Sequence, residues 1–572
     1  MTATAASAGR VTAGAADRTG AVVVGLDLGT SGMKGVAVGA GGEILASAAA
    51  GYPTSRPAAG AAEQDPADWI RAAEQVTRAL AARVPPARWR GIGLTAMIPA
   101  MVLADAAGRP VGPAVTWEDS RAEPHAERLH HAFRAAAASG ARDGGEDGRD
   151  LLYRRTGQWV DGRYLLPMFL RLAEAKPAFA ARAATLLSAK DFLFGWLTGE
   201  AATDPSTATG FGCFRLPAGS ADVSRPSATG GSPDPGQPRS RNGPRNSSRP
   251  PDPGGPWDGD VLAAAAAVLG LRRLPALPPV LASAATRPLR AAAAARLGCG
   301  QVPVCLGAAD SVLGALGLGA RVPGQIAYVA GTSTVILGIT DRPLLDPWHR
   351  FLVTPLAEAG SWGLEMDLVA TGSAFRWLAG LFGGGFDERG IVALGARTNP
   401  EHAPVVLPYL GPGEQGALWD PALRGTIGGL TLGHAREHLA RGLLTGILLE
   451  SRRCLDVLDE TTAFGPELLV AGGSAAEPAF RAELADVTGR RVIRPGSGDV
   501  SCSALGAALF AARQAGLALP AAAVAGRAAG GATPADATPA DISEPDPARA
   551  ELWQRLWARH ERTRLALGRQ HG

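Results

Sequence analysis

Two carboxylates and two hydroxyl-bearing turns carry the chemistry available to this chain. Asp27 closes the β-branched run Val22-Val23-Val24-Gly25-Leu26 and is followed by Leu28-Gly29-Thr30-Ser31-Gly32 and by Lys34. A Gly-rich turn of this kind offers hydroxyls and close backbone N–H groups to a phosphate. The carboxylate at its edge suits a hydrated Mg²⁺, a hard cation that takes oxygen ligands. Asp310 ends a second apolar run, residues 302–309, ahead of a helix expected to begin near Val312. Together they fit a phosphoryl-transfer site, with Asp27 placing the metal on the phosphates and Asp310 taking the proton of an attacking hydroxyl. Each also has a plainer reading. Asp27 could sit exposed in an ordinary hairpin, and Asp310 could be a helix cap, a position Asp favours.

The first turn has an echo. Residues 326–330, Gly331-Thr332-Ser333-Thr334 and residues 335–339 repeat the strand–turn–strand pattern with the same small and hydroxyl side chains. Two such units suggest duplicated halves gripping one polyphosphate from two sides. Further on, Leu468-Leu469-Val470-Ala471 runs into Gly472-Gly473-Ser474. A cluster at Trp117-Glu118-Asp119-Ser120-Arg121 suits a sugar, with the ring stacked on Trp117 and hydroxyls bound by Glu118, Asp119 and Arg121; a solvated turn is the alternative.

The elements that must position these groups alternate. A hairpin over 22–38 leads to a strand at 43–50. Asp65-Pro66 can cap and open a helix in which Trp69, Ala73, Val76 and Leu80 recur at helical spacing. Short strands are expected at 91–95, 101–104 and 115–117, and mainly helices over 123–200, with a polar loop at 144–148. Strands mixed with helices argue for an α/β architecture. Residues 1–20 read as a disordered tail. From 216 to 255, Pro, Gly, Ser, Asn and Arg replace all periodicity, so this insertion cannot bury enough apolar area to order itself. A basic RNA-contacting arm is the sharper reading of that stretch, though aromatics and lysines are lacking. Residues 516–543 form an Ala/Pro linker. The last helix has an apolar face of Leu552, Trp553, Leu556 and Trp557, suited to docking on the main body.

Composition narrows the function classes. At 572 residues the chain can build two or more domains, and a net charge of +3 is too small to argue for nucleic acid or membrane. Its five cysteines are scattered without metal-ligand spacing, which points to a reducing, cytoplasmic setting. Lys34, Lys176 and Lys190 are the only lysines; arginine supplies every other basic side chain.

Taken in order, these segments resemble the FGGY family of carbohydrate kinases, in particular its xylulokinase- and gluconokinase-like members. Gly25-Leu26-Asp27-Leu28-Gly29-Thr30-Ser31 looks like that family's first phosphate motif, and Gly331-Thr332-Ser333 like its second. Glu63-Gln64-Asp65-Pro66 with Trp69, then Trp117-x-Asp119-x-Arg121-Ala122, are similar to its N-terminal domain. Leu197-Thr198-Gly199-Glu200 with Asp204 resembles the "TG-x-x-x-TD" stretch, and residues 307–311 the catalytic-Asp segment. Leu407-Pro408-Tyr409-Leu410, Gly413-Glu414, Trp419-Asp420-Pro421 and Arg424-Gly425 resemble the C-terminal domain, residues 470–474 its adenosine motif, and Glu544-Pro545-Asp546-Pro547 the opening of its last helix.

The resemblance implies a two-domain actin-like ATPase (ribonuclease H-like) fold with an interdomain cleft. An N-terminal sugar-binding domain would span 21–318, a C-terminal nucleotide-binding domain 319–515, and a C-terminal helix 544–572. It implies ATP and Mg²⁺, a small carbohydrate partner, and allows a homodimer. Asp310 becomes the general base and Asp27 the Mg²⁺-associated carboxylate, through water. Gly29, Thr30, Ser31, Lys34, Gly331, Thr332 and Ser333 line the phosphates, and Gly472, Gly473 and Ser474 the adenosine. Met97, Ile98, Trp117, Glu118, Asp119 and Arg121 face the sugar. Two departures leave the substrate open. Thr95-Ala96-Met97-Ile98-Pro99-Ala100 stands where xylulokinases read "GQMHG", and Met168 and Arg171 stand where a Lys and a Trp are usual. The alternatives are a sugar-sensing pseudokinase of the same fold and an Hsp70- or actin-like ATPase.

Overall fold

A computed structural model describes residues 20–138, 147–217, 220–222, 256–411, 416–420, 423–496, 500–517 and 542–568. The tail (1–19), most of the polar loop, nearly all of the 216–255 insertion, most of the linker, and Gly413, Glu414 and Pro421 lie outside the described residues.

Two sheets dominate. The first runs in the order β5-β6-β4-β1-β2-β3, where β1 is Val22–Leu28, β2 Gly32–Gly39, β3 Ile44–Gly51, β4 Trp89–Ala96, β5 Thr286–Pro288 and β6 Pro303–Ala309. The second runs β9-β10-β8-β7-β11-β12-β13, with β7 Ile326–Ala330, β8 Thr334–Thr340, β9 Leu352–Pro355, β10 Trp362–Leu368, β11 Glu467–Gly472, β12 Arg491–Ile493 and β13 Ile542–Ser543. In both, the hairpin and its outer neighbour are antiparallel, and two parallel strands follow on the other side of the hairpin's first strand. The echo in the sequence is thus a repeat of topology. β1 is buried along its whole length, as a central strand covered on both faces must be, and its β-branched run reflects that.

The helices Asp310–Leu318 and Cys502–Gln514 pack against each other between the sheets. Their contact is at backbone distance: a Cβ on Gly506 would lie 1.7 Å from the Leu313 carbonyl oxygen. Only glycine permits that approach, which is what the small residues of 503–508 provide. Packing does not follow the expected boundary at 318/319 here. The helix Cys502–Gln514 comes from the second half of the chain yet seals one face of the first sheet, sharing a core with Val23, Val36 and Val38.

Two smaller expectations change. The run Thr185–Ser188 is a strand paired with Ala100–Ala104, inside a stretch read as helical. A four-residue apolar segment has no period of its own, so tertiary pairing decides its state. The helix after β6 starts at Asp310 itself, not near Val312. The C-terminal helix Ala550–Gly568 docks as expected, with Trp553 and Leu556 buried in the core of the second sheet. Among the described residues no helix is long and apolar enough to cross a membrane.

Candidate active site

The ends of the two hairpins face a cavity of about 550 Å³. Its wall takes in Asp27, Gly29, Thr30, Ser31, Lys34, Met97, Ile98, Trp117, Asp310, Gly331, Thr332, Ser333, Gly472 and Gly473, residues far apart in the chain.

The first turn is held from behind. The Gly29 N–H donates to the Gly32 carbonyl at 3.1 Å, which closes the turn. Trp69 Nε1 donates to Gln64 Oε1 (2.9 Å), and Gln64 Nε2 donates to the Thr30 carbonyl (2.8 Å). Trp117 Nε1 donates to Thr30 Oγ1 at 3.0 Å. Gln64 and Trp69 therefore brace the Gly29–Ser31 turn and do more than open a helix. In the second turn, Ser373 donates from both its backbone N–H and its hydroxyl to the Thr332 carbonyl, each at 3.0 Å, and Arg376 Nη2 reaches Thr332 Oγ1 at 3.1 Å. Gly472 meets a steric demand: its φ is +103°, and a Cβ there would lie 2.0 Å from the Ala330 carbonyl oxygen.

Asp27 is 4% exposed and sits opposite Lys34 in the hairpin register. Burial raises its pKa, while Lys34 and the hydroxyl of Ser501, donating to Oδ2 at 2.8 Å, pull it back. Its other oxygen, Oδ1, is buried and has no hydrogen-bond partner among the described residues. That free acceptor fits a water or a hard cation, so the residues present are compatible with Mg²⁺. No group of three or more His, Cys, Asp or Glu among the described residues is placed to hold an ion.

Asp310 opens its helix, and the Ser311 N–H donates to its Oδ1 at 3.0 Å. Burial raises its pKa well above the usual carboxylate range, and Asp27, Glu365 and Asp367 push it further up. Glu365 and Asp367 were not singled out in the sequence. They alternate on β10 and so project to one face, where both line the cavity. Thr354 Oγ1 donates to Glu365 Oε2 at 2.7 Å. Burial, then Glu365, lifts Asp367 to about 8. Two acids at i and i+2 in the otherwise apolar Trp362–Leu368 were the signal that could have found them. Arg163 and Gln158 also join the wall. Arg163 Nε bonds Asp161 at 3.0 and 3.1 Å, and its Nη1 is buried with no hydrogen-bond partner among the described residues.

Four expected residues are not in the cavity wall. Asp119 is 1% exposed, accepts the Ala62 N–H at 3.0 Å and pairs with Arg121, which also reaches Glu63 at 2.6 Å. Glu118 pairs with Arg56 at 3.0 Å. These charges close the turn against residues 60–63, so Trp117 alone of that cluster reaches the cavity. Ser474 is buried and donates to Glu388 at 2.8 Å. Met168 is buried away from the cavity, and Arg171 does not line it either.

Duplicated sheets of this topology, flanking a cleft with two Gly-Thr-Ser turns and an acidic pair, define a two-domain phosphotransferase of the actin-like class. Family models agree in detail: residues 22–223 match the N-terminal domain, and residues 326–515 the C-terminal domain, of the FGGY family of carbohydrate kinases. The chain belongs to that family. It is 25% identical over 503 residues to a gluconokinase of Bacillus subtilis, covering 85% of this chain and 86% of that one. To a xylulose kinase of Klebsiella pneumoniae it is 28% identical over 490 residues, covering 85% and 89%. Its fold resembles that of a gluconate kinase from Lactobacillus acidophilus, with a TM-score of 0.75 at 21% identity over 96% of this chain and 98% of that one.

Proposed function

We propose that this protein transfers the γ-phosphoryl group of ATP to a hydroxyl of a small sugar, ketose, polyol or sugar acid in the cytoplasm, with Asp310 as general base. The observation that carries the reading is Asp310 itself. It is a half-buried carboxyl with a strongly raised pKa, in a cavity bounded by both Gly-Thr-Ser turns. A base of raised pKa suits proton removal near neutral pH.

The phosphates would lie between Gly29–Ser31 and Gly331–Ser333, with Lys34 on their flank. Asp27 would hold Mg²⁺, through water, by its free Oδ1; the ion supplies charge neutralisation on the phosphate oxygens. The adenosine end would extend past Gly472 and Gly473 into an adjoining hollow lined by Arg376, Phe386, Glu388 and Arg389. The acceptor would sit beside Asp310. Met97 and Ile98 offer it no polar group, so its hydroxyls would be met by Gln158, Arg163, Thr209, Glu365 and Asp367. Arg163 is already neutralised by Asp161, and Glu365 and Asp367 add acid groups to the wall. Burial holds both acids towards the protonated form, so they can donate to acceptor oxygens as well as accept from hydroxyls, and the wall's charge does not by itself select a neutral sugar over a sugar acid.

A coupled ADP-release screen over ketopentoses, polyols and aldonates tests this. The expected result is ADP release stimulated above the acceptor-free rate by at least one member of the screen. In the same assay Asp310→Asn lowers kcat by roughly 10²- to 10⁴-fold, with nucleotide binding retained. Near-normal turnover in that variant would remove Asp310 from its role, and release with no member of the screen would favour the sensor reading.

A further inference from the structure

Lys176 and Lys190 both lie outside the site, and Lys190 is the most deeply buried of the three lysines. It is 1% exposed and lies outside the cavity wall. Its Nζ stands 2.9 Å from Asp204 Oδ1, in a carboxylate that is 0% exposed, and donates to the Leu306 carbonyl at 3.2 Å. Asp204 Oδ2 in turn accepts from the Ser206 hydroxyl at 2.5 Å and from the Ser206 N–H at 2.9 Å. The same Ser206 oxygen accepts the backbone N–H of Ala309 at 2.9 Å. Ala309 is the residue before Asp310.

The end of β6 needs this help. Its register against β4 shifts between Cys305 and Ala308, and Gly307 takes a φ of +69°. A break of this kind re-aims the chain and leaves backbone groups without their ladder partners. Here side chains take them up. Lys190 accommodates the Leu306 carbonyl, Thr95 Oγ1 donates to the Ala308 carbonyl at 2.8 Å, and Ser206 receives the Ala309 N–H. A buried ion pair is weak support for stability, because apolar side chains of similar volume often do as well. Its use beside an irregular strand end is better explained by the direction it imposes.

We propose that Lys190, Asp204 and Ser206 form a positioning network for the base: the ion pair orients the Ser206 hydroxyl, and that hydroxyl sets the Asp310 backbone through Ala309. None of the three touches the cavity. The inference rests on the reading of Asp310 as the base.

Ser206→Ala deletes one oxygen and leaves the Lys190–Asp204 pair in place. In steady-state assays of the full chain, kcat is expected to fall roughly 10- to 100-fold, the loss typical of a misplaced reacting group, while KM for ATP stays within about twofold. Thr77→Val, which removes an equally buried hydroxyl bonded to the Ala73 carbonyl in the helix Pro66–Ala81, controls for plain destabilisation and should leave kcat unchanged. A Ser206→Ala enzyme with wild-type kcat, or one whose kcat falls no further than that of Thr77→Val, overturns the proposal. Asp310→Asn, run alongside, keeps the two claims apart. If it still turns over, the base assignment falls and the network's role with it; if it is inactive while Ser206→Ala is normal, only the network falls.

Discussion

Asp310 can accept a proton only as a carboxylate, and its surroundings oppose that state. Burial comes first, followed by the charges of Asp27, Glu365 and Asp367, against a single favourable N–H from Ser311. The group is therefore protonated at pH values where an ordinary Asp is ionised, and as the proposed base it would be inactive there. The acid limb of a kcat/KM profile is expected well above the usual carboxylate range, with activity lost as pH falls through it. These carboxyls interact, so the limb reports the set and not one residue. Glu365→Gln removes a neighbour that raises Asp310 and should move the limb to lower pH. An unmoved limb would detach Glu365 from the site.

The helix Cys502–Gln514 links Asp27 and Asp310 across the cleft. Its cap, Ser501, donates to Asp27, and Ser503 donates to the Asp310 carbonyl at 3.0 Å. It holds both only while it lies against the helix Asp310–Leu318 at backbone contact. Gly506→Ala places a methyl group where the Leu313 oxygen stands, 1.7 Å from the ideal Cβ position, and backbone cannot yield as a side chain would. The expected cost is about 1–3 kcal/mol of stability, measured by denaturant unfolding. A fall in kcat should accompany it, because the two helices would separate.

Across the whole molecule, the C-terminal helix is locked to the second sheet's core by a buried polar cluster. Glu450 receives His560 Nε2 at 2.7 Å, the Tyr409 hydroxyl at 2.9 Å and Arg453 Nε at 2.9 Å. Burial alone would raise Glu450, but Arg453 and His560 outweigh it and bring it down from 4.5 to about 2. A carboxyl depressed in the folded state adds stability that is complete above its unfolded pKa and is lost as pH falls through the folded one. Resistance to thermal unfolding should therefore fall as pH drops from about 5 to about 2, and less steeply in Glu450→Gln. That substitution should itself cost about 3 kcal/mol near neutral pH, since it strands buried charge. Equal slopes in the two proteins would remove Glu450 from this role.

The sequence by itself determined the parts that are local. The hairpin strands, the Gly-Thr-Ser turns, the Asp65 cap and the apolar face of the last helix each follow from side-chain chemistry within a few residues, and the repeated hairpin already announced duplicated halves. Asp27 and Asp310 were legible because each closes an apolar run with a carboxylate before small residues. Only the tertiary structure decided which distant groups share the cleft. Asp119 and Arg121 carry the chemistry of a sugar site, yet their charges satisfy each other and Glu63, leaving Trp117 to reach the cavity. Glu365 and Asp367 sat unremarked in an apolar strand until sheet pairing turned that face inward, and Ser501 meets Asp27 across 474 residues. A local pattern states what a side chain can do. Which partner neutralises it, or leaves it free for a substrate, depends on long-range packing that no short stretch encodes.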